Sequence, residues 1–141
     1  MASRKSHDAL PARLPRRFRG ADDIARFVRL CLGERALEAP ALFVIALDHE
    51  SQLAGMALNS VRVSHAGLSV SEVLDLADEL DGDSLALAEV RVGEPRVPDL
   101  AEAHEFLTLA EHCLDDGLRL MDCVVMVGHH WWSLRELSHC G

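Results

Sequence analysis

The chain has 141 residues, with 14 basic and 23 acidic side chains that give a formal net charge of −9 at pH 7. Its 49% hydrophobic and 26% charged residues are typical of a single globular domain with a sizeable core, and they exclude wholesale disorder. No apolar run reaches the roughly 18 residues of a membrane span. The basic N-terminus is not followed by the apolar segment of a secretory signal, so we expect a cytoplasmic protein.

Charge is unevenly distributed along the chain. Residues 1–19 carry six Lys or Arg side chains and one acid, whereas the remainder has 8 basic and 22 acidic residues. An acidic body repels phosphate backbones, which makes nucleic acid an unfavourable partner for the folded part. Residues 1–20 show no sustained hydrophobic period and are predicted to be a disordered tail, with 21–141 forming one domain. Such a tail could be a solubilising arm or could weakly contact an acidic partner or nucleic acid.

The hydrophobic pattern alternates between helices and strands. An apolar run at 41–48 predicts a central strand that is buried on both faces. Gly55, inside the following strand, predicts a bulge or a close backbone approach. The predicted order is helix 21–32, strand 41–48, returning strand or strands 52–63, helix 69–80, strand 84–92, helix 99–117, strand 118–127 and a last helix from 133. We therefore expect an α/β fold, a three-layer sandwich with a mixed central β-sheet flanked by helices.

The segment Ser84–Glu102 carries the strongest functional signal. It combines a buried strand, a loop containing two prolines and a helix start capped by Asp99, with Glu102 at the capping-box position. This segment resembles the metal-binding part of RadC-like JAB/MPN domains, where His-x-His-Pro-Ser-Gly ends a strand and a metal-binding Asp opens the next helix. Glu89 and Arg91 stand at the two histidine positions and Glu102 at the Asp position, with one residue missing before Gly93 and one extra after it.

Three further landmarks extend the resemblance from Leu42 to Leu137. Phe43–Asp48 followed by Gln52 is similar to the first strand and turn of that family, and Ser71–Val73 to its Pro-Arg-Glu-Val/Ile. Asp122–Gly128, followed by Ser133–Glu136, resembles its closing Asp-His-Ile-Ile-Val-Gly and Ser-Leu/Phe-x-Glu. The resemblance implies a JAB/MPN fold, which is also similar to cytidine-deaminase-like folds.

The metal chemistry of the resembled family does not carry over to these residues. Its zinc site needs two imidazoles, a carboxylate and a Glu that moves the proton of the metal-bound water. Glu102 keeps a ligand-type side chain, but Glu is also expected there as a capping residue. Arg91 cannot ligate zinc, and we hypothesise that it bridges Glu89 and Glu102 in place of a cation. We therefore expect no catalytic residue, no metal and no cofactor.

Three functions remain open on this basis. The resemblance and the substituted ligands favour a catalytically inactive, metal-free RadC-like JAB domain that acts as a protein-interaction or scaffolding module. The first alternative is a divergent metal-dependent peptidase or isopeptidase that uses Glu102 with displaced ligands. The second is a DNA-repair-associated accessory protein that binds DNA through the basic tail. Among the other histidines we find no compact zinc signature.

His129, His130, Trp131 and Trp132 form the candidate interaction surface. The segment holds both tryptophans of the chain, and aromatic residues in loops commonly anchor protein contacts. The alternative is that one Trp fills the core and the other covers a helix start. We expect a protein partner or self-association, no membrane contact, and nucleic-acid binding only weakly through the tail. Cys31, Cys113 and Cys123 are predicted to be buried free thiols.

Overall fold

A computed structural model describes residues 17–59 and 62–139. The helices are α1 (Ala21–Leu32), α2 (Val70–Glu79), α3 (Leu100–Asp115) and α4 (Leu134–Ser138). The strands are β1 (Ala41–Leu47), β2 (Leu53–Asn59), β3 (Ser84–Val90), β4 (Arg119–Val127) and β5 (His130–Ser133). Short 3-10 turns lie at Glu34–Leu37 and His65–Gly67. None of the helices in these described ranges has the length and apolar character to cross a membrane.

The five strands form one mixed sheet in the order β2-β1-β3-β4-β5. β1 pairs antiparallel with both β2 and β3, β3 pairs parallel with β4, and β4 pairs antiparallel with β5. Every residue of β1 is buried, as the continuous apolar run predicted. The parallel β3–β4 pair requires a crossover, and α3 supplies it.

Helices cover both faces of the sheet and create two hydrophobic cores. Ile24 and Phe27 of α1 pack with Phe43 on one face. On the other face, residues of α2, α3 and α4 pack together, with Phe106 and Leu134 fully buried. The alternation of side chains along each strand directs successive residues to opposite cores. The predicted α/β fold with a mixed sheet between helical layers is therefore confirmed.

The segment after β4 differs from its prediction. His130–Trp132 was expected to be part of a loop, but it belongs to β5, with Met126 opposite Trp131 and Val127 opposite His130. Gly128 has φ of +60° and occupies the first position of a two-residue turn. Glycine at that position suits a tight hairpin, because it adopts the positive φ without steric cost. Gly128, between the apolar run of β4 and the two tryptophans, was the sequence signal for this hairpin.

The folded region begins earlier than predicted. Phe18 is only 2% exposed and its ring meets that of Phe27 edge-on at 5.6 Å. Its backbone N–H donates to the carbonyl oxygen of Ser51 at 2.8 Å. The predicted tail therefore extended a few residues too far, because a single aromatic in a basic segment gives no periodicity. The part of that prediction that concerns residues 1–16 lies outside the described residues.

The cysteines also depart in part from expectation. Cys113 and Cys123 are buried free thiols, as predicted, whereas Cys31 is exposed. Cys31 lies in the last turn of α1, close to where that helix leaves the sheet, so its place in the apolar period does not bury it. Cys140 lies outside the described residues.

Two glycines allow close packing beside β1. A Cβ on Gly55 would lie 3.1 Å from the carbonyl oxygen of Leu80, so the close approach predicted at this glycine is confirmed. The register between β1 and β2 also shifts at Ala46/Leu47, next to this glycine, which confirms the predicted bulge. A Cβ on Gly82 would lie 2.7 Å from the Cβ of Ala46.

We expect Gly82→Ala to lower the free energy of unfolding by about 1–3 kcal/mol, because the added methyl group would force apart a buried strand and the turn that packs on it. Urea denaturation of the variant and the parent chain measures this difference. Gly67→Ala is the matched control, since its Cβ would meet nothing closer than the Arg62 Nη1 at 3.8 Å. Equal stability of the two variants would contradict the packing.

Candidate functional site

Glu89 is a fully buried carboxylate in the centre of the sheet. It lies in β3 between Leu42 of β1 and Val125 of β4, and its residue exposure is 0%. Its side chain shares the sheet face of Leu87 and therefore points toward the layer that contains α3. An unpaired charge in such a position is unfavourable by several kcal/mol, so its partners must be built into the fold.

His65 satisfies one oxygen of this carboxylate. The backbone N–H of His65 donates to Glu89 Oε2 at 2.7 Å, and its ring Nδ1 bonds to the same oxygen. The Ser64 hydroxyl lies 3.4 Å from Oε2 and also accepts a bond from the Ala66 N–H. Ser64 thereby caps the 3-10 turn that directs His65 into the protein. The imidazole is buried and meets the Phe106 ring edge-on at 6.0 Å.

Both ring nitrogens of His65 face oxygens that only accept hydrogen bonds. Nδ1 meets the Glu89 carboxylate, and Nε2 lies 3.3 Å from the backbone carbonyl oxygen of Glu102. Two such acceptors are satisfied together only when both nitrogens carry a proton. The arrangement therefore favours the imidazolium form of His65.

Arg91 satisfies the other oxygen of Glu89. Its Nη2 donates to Glu89 Oε1 at 2.8 Å, and its Nε lies 3.3 Å from the same atom. Nη2 also bonds to Glu102 Oε1, and Nη1 lies 3.4 Å from Glu102 Oε2. The bridge that the sequence suggested between Glu89 and Glu102 is thus present. We call His65, Glu89, Arg91 and Glu102 the ion network.

The pKa values in the ion network follow from burial and pairing. Burial alone would raise the pKa of Glu89, but the bonds from the His65 ring and backbone and from Arg91 lower it to about 2. Burial alone would lower the pKa of His65, but the bond and charge of Glu89 raise it above its ordinary value. Burial also works against the charge of Arg91, yet Glu102 and Glu89 raise its pKa. Two negative and two positive groups therefore balance one another.

Glu102 has two structural roles at the start of α3. Its Oε2 accepts a bond from the Asp99 backbone N–H at 3.1 Å, as expected of a capping residue. Its carboxylate also pairs with Arg91. Burial would raise the pKa of Glu102, but the bond from Arg91 and the Asp99 N–H lower it. The capping prediction and the ion-pair prediction therefore both hold for this residue.

His65, Glu89 and Cys123 also form a group of potential metal ligands. Their ligand atoms all lie within 4.8 Å of one another, and all three residues are buried. The Cys123 Sγ lies 3.9 Å from Glu89 Oε2. Sequence reasoning missed this group, because His65 lies 24 residues before Glu89 in a segment without periodicity.

The residues of this group do not fit a resident cation. The His65 nitrogens both point at acceptors, so no imidazole lone pair is available. Burial, the largest cause, raises the pKa of Cys123 well above its ordinary value, and the Glu89 charge raises it further. In the described ranges the single buried side-chain nitrogen or oxygen without a partner is Arg29 Nε, so no buried carboxylate oxygen there lacks a donor.

The predicted interaction residues do not form one surface. Trp131 packs against the core beside α1, whereas Trp132 packs against the opposite core. Both indole side chains are half-buried, and His129 and His130 are exposed. The rings of His130 and Trp132 stack with centroids 6.0 Å apart. Each tryptophan thus packs against a different one of the two cores. A role for these four residues in binding stays a prediction.

Asp122 is a second buried carboxylate, with a structural role. It accepts bonds from the Ser133 hydroxyl at 2.5 Å, from its neighbour Cys123 N–H at 2.7 Å and from the Arg135 N–H at 3.2 Å. Burial raises its pKa in spite of these bonds. Asp122 therefore ties β4 to the start of α4.

We expect Glu89→Gln to destabilise the fold by about 3–5 kcal/mol, because the buried His65 imidazolium and the partly exposed Arg91 guanidinium would lose their shared anion. The amide would also direct a donor at groups that are themselves donors. Urea denaturation measures the loss. Glu79→Gln, at an exposed position of α2, should stay within about 0.5 kcal/mol of the parent. A Glu89→Gln chain as stable as the control would contradict a stabilising ion network.

The stability should also depend on pH in a defined direction. The raised pKa of His65 means that its contribution is complete below pH 6.5 and is lost as pH rises through the folded value. The lowered pKa of Glu89 means that its contribution is complete above pH 4.5 and is lost as pH falls towards about 2. The free energy of unfolding should therefore be greatest between these limits.

Denaturation midpoints measured across pH test this expectation. His65→Asn keeps a donor near the position of Nδ1 but cannot titrate, so it should remove the decline on the alkaline side. A parent chain whose stability is flat from about pH 5 to about pH 9 would contradict the raised pKa of His65.

Comparison with known proteins gives no relative from which a role could be transferred. No protein-family model matches the chain, and no curated protein gives a significant match. The resemblance to RadC-like domains therefore stays a prediction from short motifs, and the ion network is the observation on which a functional argument can rest.

Proposed function

We propose that this chain is a metal-free, catalytically inactive domain of the RadC-like JAB/MPN type that acts through protein contacts. The observation that carries the proposal is the guanidinium of Arg91 held between the carboxylates of Glu89 and Glu102. In the resemblance drawn from the sequence, these three residues stand at the metal-ligand positions. A permanent cation of the protein itself would then occupy the place of the metal.

Electrostatics supports this exchange of cations. The ion network is balanced by the charges of Arg91 and the His65 imidazolium. A divalent ion about 4 Å from a guanidinium would be repelled by roughly 8 kcal/mol at an effective dielectric constant of about 20. Binding a metal to Glu89 would therefore require Arg91 to move away and His65 to lose a proton.

Nucleophilic catalysis is not supported by the same residues. His65 and Glu89 resemble a base with its orienting acid, but they are 2% and 0% exposed, and substrate has no access to them. Burial raises the pKa of the Cys123 and Cys113 thiols, which disfavours the reactive thiolate. The geometry supports a stabilising role for the ion network.

Protein contact is the role that the surface supports best. Six large hydrophobic residues of the described ranges are exposed, namely Leu53, Leu58, Val92, Val97, Leu100 and Leu114. Val92 and Val97 lie in the loop that carries Arg91, and Leu100 begins the helix that follows it. Apolar side chains gathered on a surface commonly mark contact sites. A protein partner or a second copy in the cytoplasm is therefore the expected context.

A metal-dependent peptidase or isopeptidase with displaced ligands is the second candidate. The group of His65, Glu89 and Cys123 favours it, since imidazole, carboxylate and thiolate are all zinc ligands. A catalytic zinc also needs an open position for water and substrate. All three residues are buried, so this candidate requires a local opening as well as loss of protons.

Zinc analysis of untagged protein purified without chelator separates the two candidates. Less than about a tenth of an equivalent supports the metal-free domain, because a peptidase of this kind needs a bound zinc to activate its water. Close to one equivalent would overturn it and favour the peptidase.

A gain of zinc tests whether the ion network stands at a former ligand position. We expect the double variant Glu89→His and Arg91→His to bind about one equivalent of zinc, with Glu102 as the carboxylate ligand. The matched control is Glu94→His with Arg96→His, the same exchange at two exposed positions of the following loop. Circular dichroism checks that both variants fold. A folded double variant that binds no more zinc than the control would contradict the correspondence.

A further inference from the structure

β2 is an edge strand without the usual protection against pairing. It pairs on one side with β1, and no described strand lies on its other side. Its sequence, Leu53–Asn59, contains no charged residue and no proline. Edge strands commonly carry such residues, which discourage pairing with another chain. The bulge beside β2 lies at its beginning, and the register with β1 is regular from Gly55 onward.

Two exposed leucines lie along this edge. Leu58 is 57% exposed and Leu53 is 47% exposed. They pair with Phe43 and Leu47 of β1, whose side chains belong to the core beside α1. Both leucines therefore lie on the same face of the sheet, beyond the part that α1 covers. A strand added to this edge would bury them.

We infer that a second copy of this chain pairs antiparallel with β2, so that the two sheets become continuous across a two-fold axis. That second copy would be the partner in the proposed interaction role. A chain with a net charge of −9 repels its own copies, so self-association is favoured at an uncharged segment such as β2. Two-fold antiparallel pairing also places the same neutral segment on both sides of the contact.

The charges at the two ends of β2 are complementary in this arrangement. Glu50 precedes the strand and Arg62 follows it, and both residues are exposed. Within the chain, Glu50 lies 3.9 Å from Arg17, and Arg62 pairs with Glu72 at 2.9 Å. Antiparallel pairing brings the beginning of one strand next to the end of the other. Glu50 of each copy would therefore approach the end that carries Arg62 in its partner, whereas parallel pairing would place like charges together.

The opposite edge of the sheet is a weaker candidate. β5 has four residues, and its tryptophans pack against the two cores. Pairing β5 of one copy with β2 of the next would not close, and it would build an open chain of molecules. A measured mass that stops at that of two chains would therefore support the closed dimer through β2, whereas an open chain of molecules would keep growing.

Sedimentation of the complete chain over a series of concentrations tests the inference. The mass should rise toward twice the 15.5 kDa of one chain and then stay constant. Leu53→Lys with Leu58→Lys should weaken dimerisation by at least about tenfold, because four like charges would meet across the two-fold axis. Both positions are exposed in the single chain, so the variant should fold, and circular dichroism checks this.

Leu114→Lys is the matched control, since Leu114 is 61% exposed but lies in α3. It should leave the dissociation constant of the dimer unchanged.

Hydrogen exchange of the unmodified chain gives a second measurement that does not depend on a variant. The amides of residues 53–58 should become more protected as concentration rises, and those of β5 should not.

Four results would overturn the inference: a single-chain mass at every concentration, growth beyond a dimer, a dimer that survives the two lysines, or equal weakening by Leu114→Lys. The zinc content of the same preparation is measured as well, because it tests the metal-free assignment separately from the pairing. Low zinc with a single-chain mass would reject β2 pairing and leave the metal-free assignment standing. Stoichiometric zinc with a β2 dimer would reject the metal-free assignment and keep the pairing.

Discussion

The carboxylate of Glu89 sets the constraint that the centre of this domain has to meet. It is completely buried in β3, and its two oxygens require donors from opposite directions. One oxygen needs the turn that carries His65, and the other needs Arg91 at the end of β3. Since Arg91 also binds Glu102 in the first turn of α3, a strand, a turn and a helix start are positioned by one side chain.

The charged groups of the ion network bind one another. Each oxygen of Glu89 already accepts bonds from a cationic partner, and both His65 nitrogens are engaged. Reactive sites usually keep one such group exposed and incompletely paired so that substrate can complete its contacts. Here the side chains complete their contacts with one another. A carboxylate, an imidazole and a guanidinium thus lie together, and their hydrogen bonds are made within the fold.

Local signals made much of the fold predictable. The apolar run at 41–48 and the helix predicted at 69–80 depend on neighbouring residues, and the structure has a buried strand at Ala41–Leu47 and a helix at Val70–Glu79. The bridge from Glu89 through Arg91 to Glu102 was also predictable, because all three lie in one short strand–loop–helix segment. The contact between His65 and Glu89 was not predictable, because the two residues are 24 positions apart and His65 lies between the regular elements. A buried carboxylate has two oxygens to satisfy, and only tertiary structure shows which distant donor satisfies the second.

The complete pairing within the ion network restricts how the sequence can change. Replacing Glu89 alone leaves the buried His65 and the partly exposed Arg91 without their shared anion, and replacing Arg91 alone leaves two carboxylates with one fewer partner. Each single step therefore passes through a less stable protein. Changes that keep the fold stable have to alter more than one residue of the ion network at a time. We therefore expect the four positions of the ion network to vary together rather than one at a time.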